Sequence, residues 1–357
     1  MASRLEQIDP GGHRRIKGLR LVAAYGLAAM LGIVLHRSYE FSGSQCLSYL
    51  AAGFALWASV SEGQTTRWLS ARDLTLLNAA SVVGALMFVG LSSLPIRLGQ
   101  GSPEWILITG AFLVGYLKRF GILGAGIGSQ IYIGQLLAYG ANIRWQDLPM
   151  VLLAGLIAGV ASIVAQVFRR PAEPPMPSTV YSEVSEGRAS REMRMALQSA
   201  TAALVIVLLS SVIHLQQSAW AITASAYVIV GSASGTADRV RRRIVGTLIG
   251  VPLGILCLPI CLHLSPLAWM LAAVAMITYA IALPDRYDIA CGAYAFTLMV
   301  TLAVSGETSI SVLAARAWET LIGGSLGVAT AKFILPLASV RASAQKPWLL
   351  RPNRFPL

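Results

Sequence analysis

Long apolar stretches alternate with short polar ones along almost the whole chain. A membrane-crossing helix needs about 20 predominantly apolar residues. On that measure the pattern predicts spans at roughly 18–36, 45–61, 74–96, 104–117, 122–140 and 147–168. A polar, proline-rich stretch follows, Arg169-Arg170-Pro171-Ala172-Glu173-Pro174-Pro175-Met176-Pro177, and runs on to Arg191. It cannot span and reads as a linker, 169–191. Six further spans are predicted at roughly 193–213, 218–234, 244–262, 266–283, 288–305 and 310–336. Two six-helix units result, 18–168 and 192–336, flanked by polar tails at 1–17 and 337–357. The fold class expected is an all-α polytopic membrane protein of about 12 transmembrane helices.

Composition strengthens this reading. Hydrophobic residues make up 55% of the 357 and charged residues 12%, against about 25% charged in a soluble domain. Too few polar side chains remain to cover a water-facing surface of this size. The 33 glycines suit closely packed membrane helices. The polar N-terminal tail and the lack of an Ala-x-Ala-like site after the first apolar run give no sign of a cleavable signal peptide.

The net charge of +12 would suggest nucleic acid in a soluble protein. Here topology accounts for it. With the N-terminus in the cytoplasm and twelve alternating spans, 24 of the 28 basic residues fall inside. Arg37, Arg97 and Arg144 fall outside, and Arg316 falls within the last span. That asymmetry predicts an N-in, C-in protein and no nucleic-acid partner.

The halves resemble each other. Asn78–Gly84 aligns with Ile244–Gly250 at an offset of 166, and Leu156-Ile157-Ala158-Gly159 aligns with Leu321-Ile322-Gly323-Gly324 at 165. Each half has six spans, so both start from the cytoplasm. The predicted repeat is therefore parallel, about an axis along the membrane normal, with the substrate path expected between the halves.

No Walker A loop, His-Glu-x-x-His, Gly-x-Ser-x-Gly or Cys-x-x-Cys occurs. The expectation is a non-enzyme with no cofactor and no metal, and with no direct ATP-driven pumping. Cys46, Cys257, Cys261 and Cys291 lie in apolar stretches and read as buried thiols. His36, His214 and His263 fall near outer span ends and read as solvated loop residues.

Of 16 carboxylates, Glu319 alone lies deep in a span, roughly 13–15 Å from its start at 1.5 Å per residue. Arg316 stands one turn before it, an i, i+3 spacing that lets the two pair. A charge at that depth costs on the order of 2.5–3.5 kcal/mol and usually faces a bundle interior or an aqueous path. Two readings stand: a substrate or proton site, and a structural ion pair. Arg239-Val240-Arg241-Arg242-Arg243 reads as a cytoplasmic helix anchor that can also gather anions at an inner mouth. Trp220 opens a span from the outside and reads as an interfacial belt residue.

These motifs together resemble the fusaric-acid-resistance-like family, which includes inner-membrane aromatic acid exporters. The resemblance covers Met193 to Pro336. It rests on Arg194, Trp220-Ala221, Arg243-Ile244-Val245-Gly246-Thr247-Leu248-Ile249-Gly250 and Arg316-Ala317-Trp318-Glu319-Thr320-Leu321-Ile322-Gly323. In the first half Val151 and Ala154 stand where Arg316 and Glu319 stand in the second. The resemblance implies inner-membrane efflux of small, often aromatic, organic anions. It implies Arg316, Glu319, Arg243 and Trp220 as substrate-binding or coupling residues, with a periplasmic adaptor as a further partner; a homo-oligomer is a separate expectation. Several relatives carry a large soluble domain between the halves, and this chain has only the linker. Without an ATP motif, proton coupling is the expected energy source. Two alternatives remain: a passive organic-anion channel, and a non-transporting component of an envelope assembly.

Overall fold

The computed structural model describes residues 12–39, 46–63, 66–92, 103–168, 187–213, 215, 218–230, 232–283, 285–304 and 309–336. The tails and most of the predicted linker lie outside the described residues. Within them the chain is all-α. The first half holds α1 (His13–Tyr39), α2 (Cys46–Ser61), α3 (Arg67–Leu91), α4 (Leu107–Tyr116), α5 (Gly121–Gly140) and α6 (Leu148–Val164). The second holds α7 (Gly187–Ile213), α8 (Ser218–Val228), α9 (Ala233–Leu256), α10 (Ser265–Ala282), α11 (Tyr287–Val304) and α12 (Ile310–Phe333). A short helical extension, Leu258–His263, follows α9.

Among the described residues, five helical stretches are long and apolar enough to cross a membrane: Arg14–His36, Arg67–Leu91, Pro103–Gly140, Trp145–Phe168 and Ser190–Ile213. Leu47–Ser61, Pro266–Ala282 and Tyr287–Ala303 are shorter apolar helices. The protein is a polytopic helical membrane protein.

Several boundaries differ from those the hydropathy pattern predicts, each for a local reason. α7 starts at Gly187, inside the stretch read as linker, because its polar lead-in has no proline to stop a helix. α3 starts at Arg67 rather than 74, since charged Arg72 and Asp73 continue the same helix beyond the apolar stretch. α8 stops at Val228. Ser232 then caps α9, its side-chain oxygen accepting from the Gly235 amide at 3.2 Å, and Thr236 Oγ1 accepts from the Val230 amide at 3.3 Å. Those bonds satisfy backbone groups that a continued α8 would have used. Between α4 and α5 the chain bends at Gly121, where φ is +83°, a conformation that favours a residue without Cβ.

Neighbour relations recur in the two halves. α1 packs on α2 and α6, α3 on α5 and α6, and α4 on α5. Likewise α7 packs on α8 and α12, α9 on α11 and α12, and α10 on α11. The halves meet along two seams, α4 with α7 and α1 with α10. Gly84 and Gly250, which the sequence alignment pairs, make the same kind of contact. A Cβ on Gly84 would lie 2.0 Å from the Ile131 carbonyl oxygen on α5, and one on Gly250 would lie 2.2 Å from the Gly292 carbonyl oxygen on α11. Only glycine permits backbones this close.

Where the start of α1 meets the ends of α2 and α6, the basic lead-in is tied down. Arg20 donates to Gln166 Oε1 at 3.1 Å and lies 3.8 Å from the Glu62 carboxylate. Lys17 donates to the Glu62 carbonyl at 2.9 Å. Arg14 pairs with Asp285 across the α1–α10 seam.

Candidate functional site

The α1–α10 seam opens into a cavity of about 680 Å³, walled by α1, α2, α5 and α8 to α12. Its volume is that of a small-molecule site. Three arginines line it: Arg239 and Arg243 on α9, and Arg316 on α12. Among the described lining residues there is no carboxylate. The walls are aromatic: Tyr25, Tyr49 and Trp57 on one side, Trp269, Tyr279, Tyr287 and Tyr294 on the other, with Trp220 and Tyr227 from α8.

Helical spacing explains which arginines face inward. Arg239 and Arg243 are four apart and share a face of α9. Arg241 and Arg242 fall outside the lining and are exposed. Arg242 instead pairs with Asp238 at 3.0 Å. The arginine run is thus divided between an anchoring face and a cavity face.

Along the cavity, cations and rings alternate. Arg239 sits 4.6 Å from the centre of the Tyr287 ring. Arg243 interacts with Tyr287 and Tyr294. Arg316 interacts with Tyr294, and its guanidinium carbon lies 3.1 Å from the Trp220 ring centre. Tyr294 in turn packs edge-on against Trp57, ring centres 5.3 Å apart. The ring faces are electron-rich, so they hold the cations in place without neutralising them.

Arg316 is only 6% exposed. Its Nε and Nη2 have no hydrogen-bond partner among the described residues. These two atoms form one edge of the guanidinium, the edge that takes a carboxylate through two parallel hydrogen bonds. A buried cation with that edge unbonded is costly, and an incoming carboxylate would satisfy it. Thr320, one turn on, also lines the cavity.

Glu319 is placed differently from Arg316. It is fully buried and is not among the lining residues. Packing of α12 against α8, rather than the i, i+3 spacing, sets it behind Arg316. α12 runs parallel to α8 in tight register: a Cβ on Gly323 would lie 2.1 Å from the Ala221 carbonyl oxygen. One turn earlier, Glu319 falls level with the first turn of α8 and within electrostatic reach of Tyr139 on α5.

Of the four sequence-predicted site residues, Arg316, Arg243 and Trp220 meet at the cavity. Trp220 is a cavity wall residue and not simply a belt residue. Cys291 lines the cavity, while Cys257 is half-buried at the break after α9 rather than buried. The sequence reading missed the tyrosines and Trp57, because single aromatics at helical spacing look like core. It also missed Arg239 as a lining residue, although its spacing to Arg243 carries that signal.

Residues 203–330 match the family model described as fusaric acid resistance protein-like. The matched stretch runs from the middle of α7 to near the end of α12 and includes Trp220, Arg243, Arg316 and Glu319. No curated protein and no solved structure matches the chain.

Proposed function

We propose that this protein is a proton-coupled secondary exporter of small aromatic carboxylates across an inner membrane, built as two parallel six-helix repeats with both termini in the cytoplasm. The observation that carries the reading is the cavity: three arginines, aromatic walls and, among the described residues, no lining carboxylate. A monovalent aromatic acid matches each feature. Its ring packs against the tyrosines and tryptophans, and its carboxylate takes the unbonded edge of Arg316. A cation would meet three like charges in a low-dielectric site. The recurring neighbour relations and the Gly84 and Gly250 contacts support the repeat. The family match supports a membrane transport role.

Inverted membrane vesicles with an acidic interior test the reading. Benzoic acid that crosses the bilayer unaided collects on the alkaline side, where it ionises. An exporter exchanging benzoate for protons collects it on the acidic side instead. Accumulation inside the acidic vesicles, abolished by a protonophore, is the expected result. Equilibration without accumulation would assign a passive organic-anion channel, and no flux of any carboxylate in a panel would contradict transport.

A further inference from the structure

Proton coupling poses a problem for this cavity. A path lined by three arginines repels hydronium by the same field that draws anions. A second route for the proton is needed, lined by groups that take up and pass on a proton.

Such a row lies beside the cavity. Glu104 sits in the helical turn Pro103–Ile106 that leads into α4 and is half-buried. In the proposed orientation this turn is on the outer surface. Tyr139, in the last turn of α5, donates its hydroxyl proton to Glu104 Oε1 at 2.7 Å. The Glu319 carboxylate lies within electrostatic reach of Tyr139 on one side and of Arg316 on the other. Glu319 is fully buried and outside the cavity lining. The row therefore begins at the outer surface and ends directly behind the arginine that faces the cavity.

We propose that Glu104, Tyr139 and Glu319 form a proton route from the outer surface to Arg316, separate from the anion path. The inference rests on the exporter reading. A substrate carboxylate on Arg316 weakens the arginine's hold on Glu319. Glu104 takes a proton from outside water and gives it to the Tyr139 oxygen, while the Tyr139 hydroxyl turns away from Glu104 and passes its own proton to Glu319. One proton moves inward along the row and none is created. When the anion has left, Arg316 again favours the charged carboxylate, and Glu319 gives its proton to water in the emptied cavity, whose arginines drive it out towards the cytoplasm.

The titratable surroundings fit this role. α8 brings Tyr227 as its one titratable side chain, bonded to Ser129 at 2.6 Å, and α7 has no titratable residue between Arg194 and His214. α9 brings Arg243, and α2 and α11 bring Tyr49 and Tyr294, all within reach of Arg316. α5 adds Tyr132, bonded to Thr223 at 2.7 Å. Arg316 is thus the cation whose engagement governs Glu319.

The test uses full-length protein in inverted vesicles with two readouts: benzoate accumulation driven by an acidic interior, and benzoate–benzoate exchange without a gradient. Tyr139→Phe and Glu104→Gln keep the shape of each side chain and remove the relay. Each should lower accumulation by roughly tenfold or more and leave exchange at the unmodified rate. Accumulation retained in the double variant would overturn the route. Loss of exchange together with accumulation would also overturn it, by placing these residues in the anion path or the fold. Absence of benzoate exchange in the unmodified protein would contradict the exporter reading itself, and the route with it.

Discussion

The guanidinium carbon of Arg316 lies 3.1 Å from the centre of the Trp220 ring, on the cavity wall. Contact with an indole face fixes the position of the cation while leaving its charge available. Glu319, three residues on, is fully buried behind it. Arg316 thus stands between the cavity and a buried carboxylate, and substitutions on either side should have separable effects.

If Arg316 and Glu319 were only a structural pair, replacing both with leucine should restore a stable, active protein, since apolar residues often substitute for a buried ion pair without loss. A coupling pair behaves otherwise. Glu319→Leu alone should lower folded yield, because it removes a carboxylate within electrostatic reach of the buried Arg316 charge. The double leucine variant should recover yield in size-exclusion chromatography yet show no benzoate accumulation. An active double variant would sink the coupling role.

The division of the arginine run predicts a split in kinetics. Arg239→Gln removes a cavity charge and should raise the KM for benzoate by roughly threefold or more, with unmodified KM also rising as salt screens the field. Arg241→Gln with Arg242→Gln changes only the exposed face and should leave KM in place while lowering expression. Equal KM effects from the two faces would refute the division.

Much of this architecture is legible in the chain. Apolar stretch lengths point to the helices, because a bilayer permits no other use of such stretches. Arg316 and Glu319 stand out because intramembrane charge is rare and expensive. Other features depend on contacts between distant segments. Tyr25 and Trp269, with ring centres 6.1 Å apart, come from opposite halves, and no local pattern links them. Hydropathy also carries no sign that α8 ends at Val228, because its stop is set by the cap at Ser232 and the polar Gly-Ser-Ala-Ser-Gly run. The separation of Glu319 from the cavity follows from α12 packing on α8, which spacing alone leaves open.

Topology has its own check. In a background lacking Cys46, Cys257, Cys261 and Cys291, a cysteine placed at Ala141, just past the end of α5, should react with an impermeant thiol reagent added to intact cells. Cysteines at Ser178 and Ala344, both outside the described residues, should not. Labelling at Ser178 would overturn the six-plus-six arrangement.

Lys118, in the turn between α4 and α5, offers a prediction in pH. Burial first, and Arg239 next, lower its pKa to about 8, with Glu192 opposing. The unfolded side chain titrates near 10.5. The folded protein therefore binds fewer protons between those values, and stability rises with pH across that window. Below pH 8 the half-buried charge weakens the fold. Lys118→Met keeps the apolar stem and removes the charge, so it should raise the unfolding midpoint at pH 7 by about 2 °C. The gain should shrink towards zero by about pH 10.5. A gain of equal size at both pH values would contradict the assignment of its cause.

The central claim is that Arg316 holds an aromatic carboxylate in the cavity, and equilibrium binding of labelled benzoate to purified protein tests it most directly. Saturable binding that benzylamine and benzyl alcohol do not displace is the expected result. Arg316→Lys, which keeps the charge but loses the two-pronged edge, should weaken binding by roughly 10- to 100-fold, and Arg316→Leu should abolish it. Displacement by benzyl alcohol as effective as by benzoate itself, or unchanged benzoate affinity in Arg316→Lys, would contradict the claim.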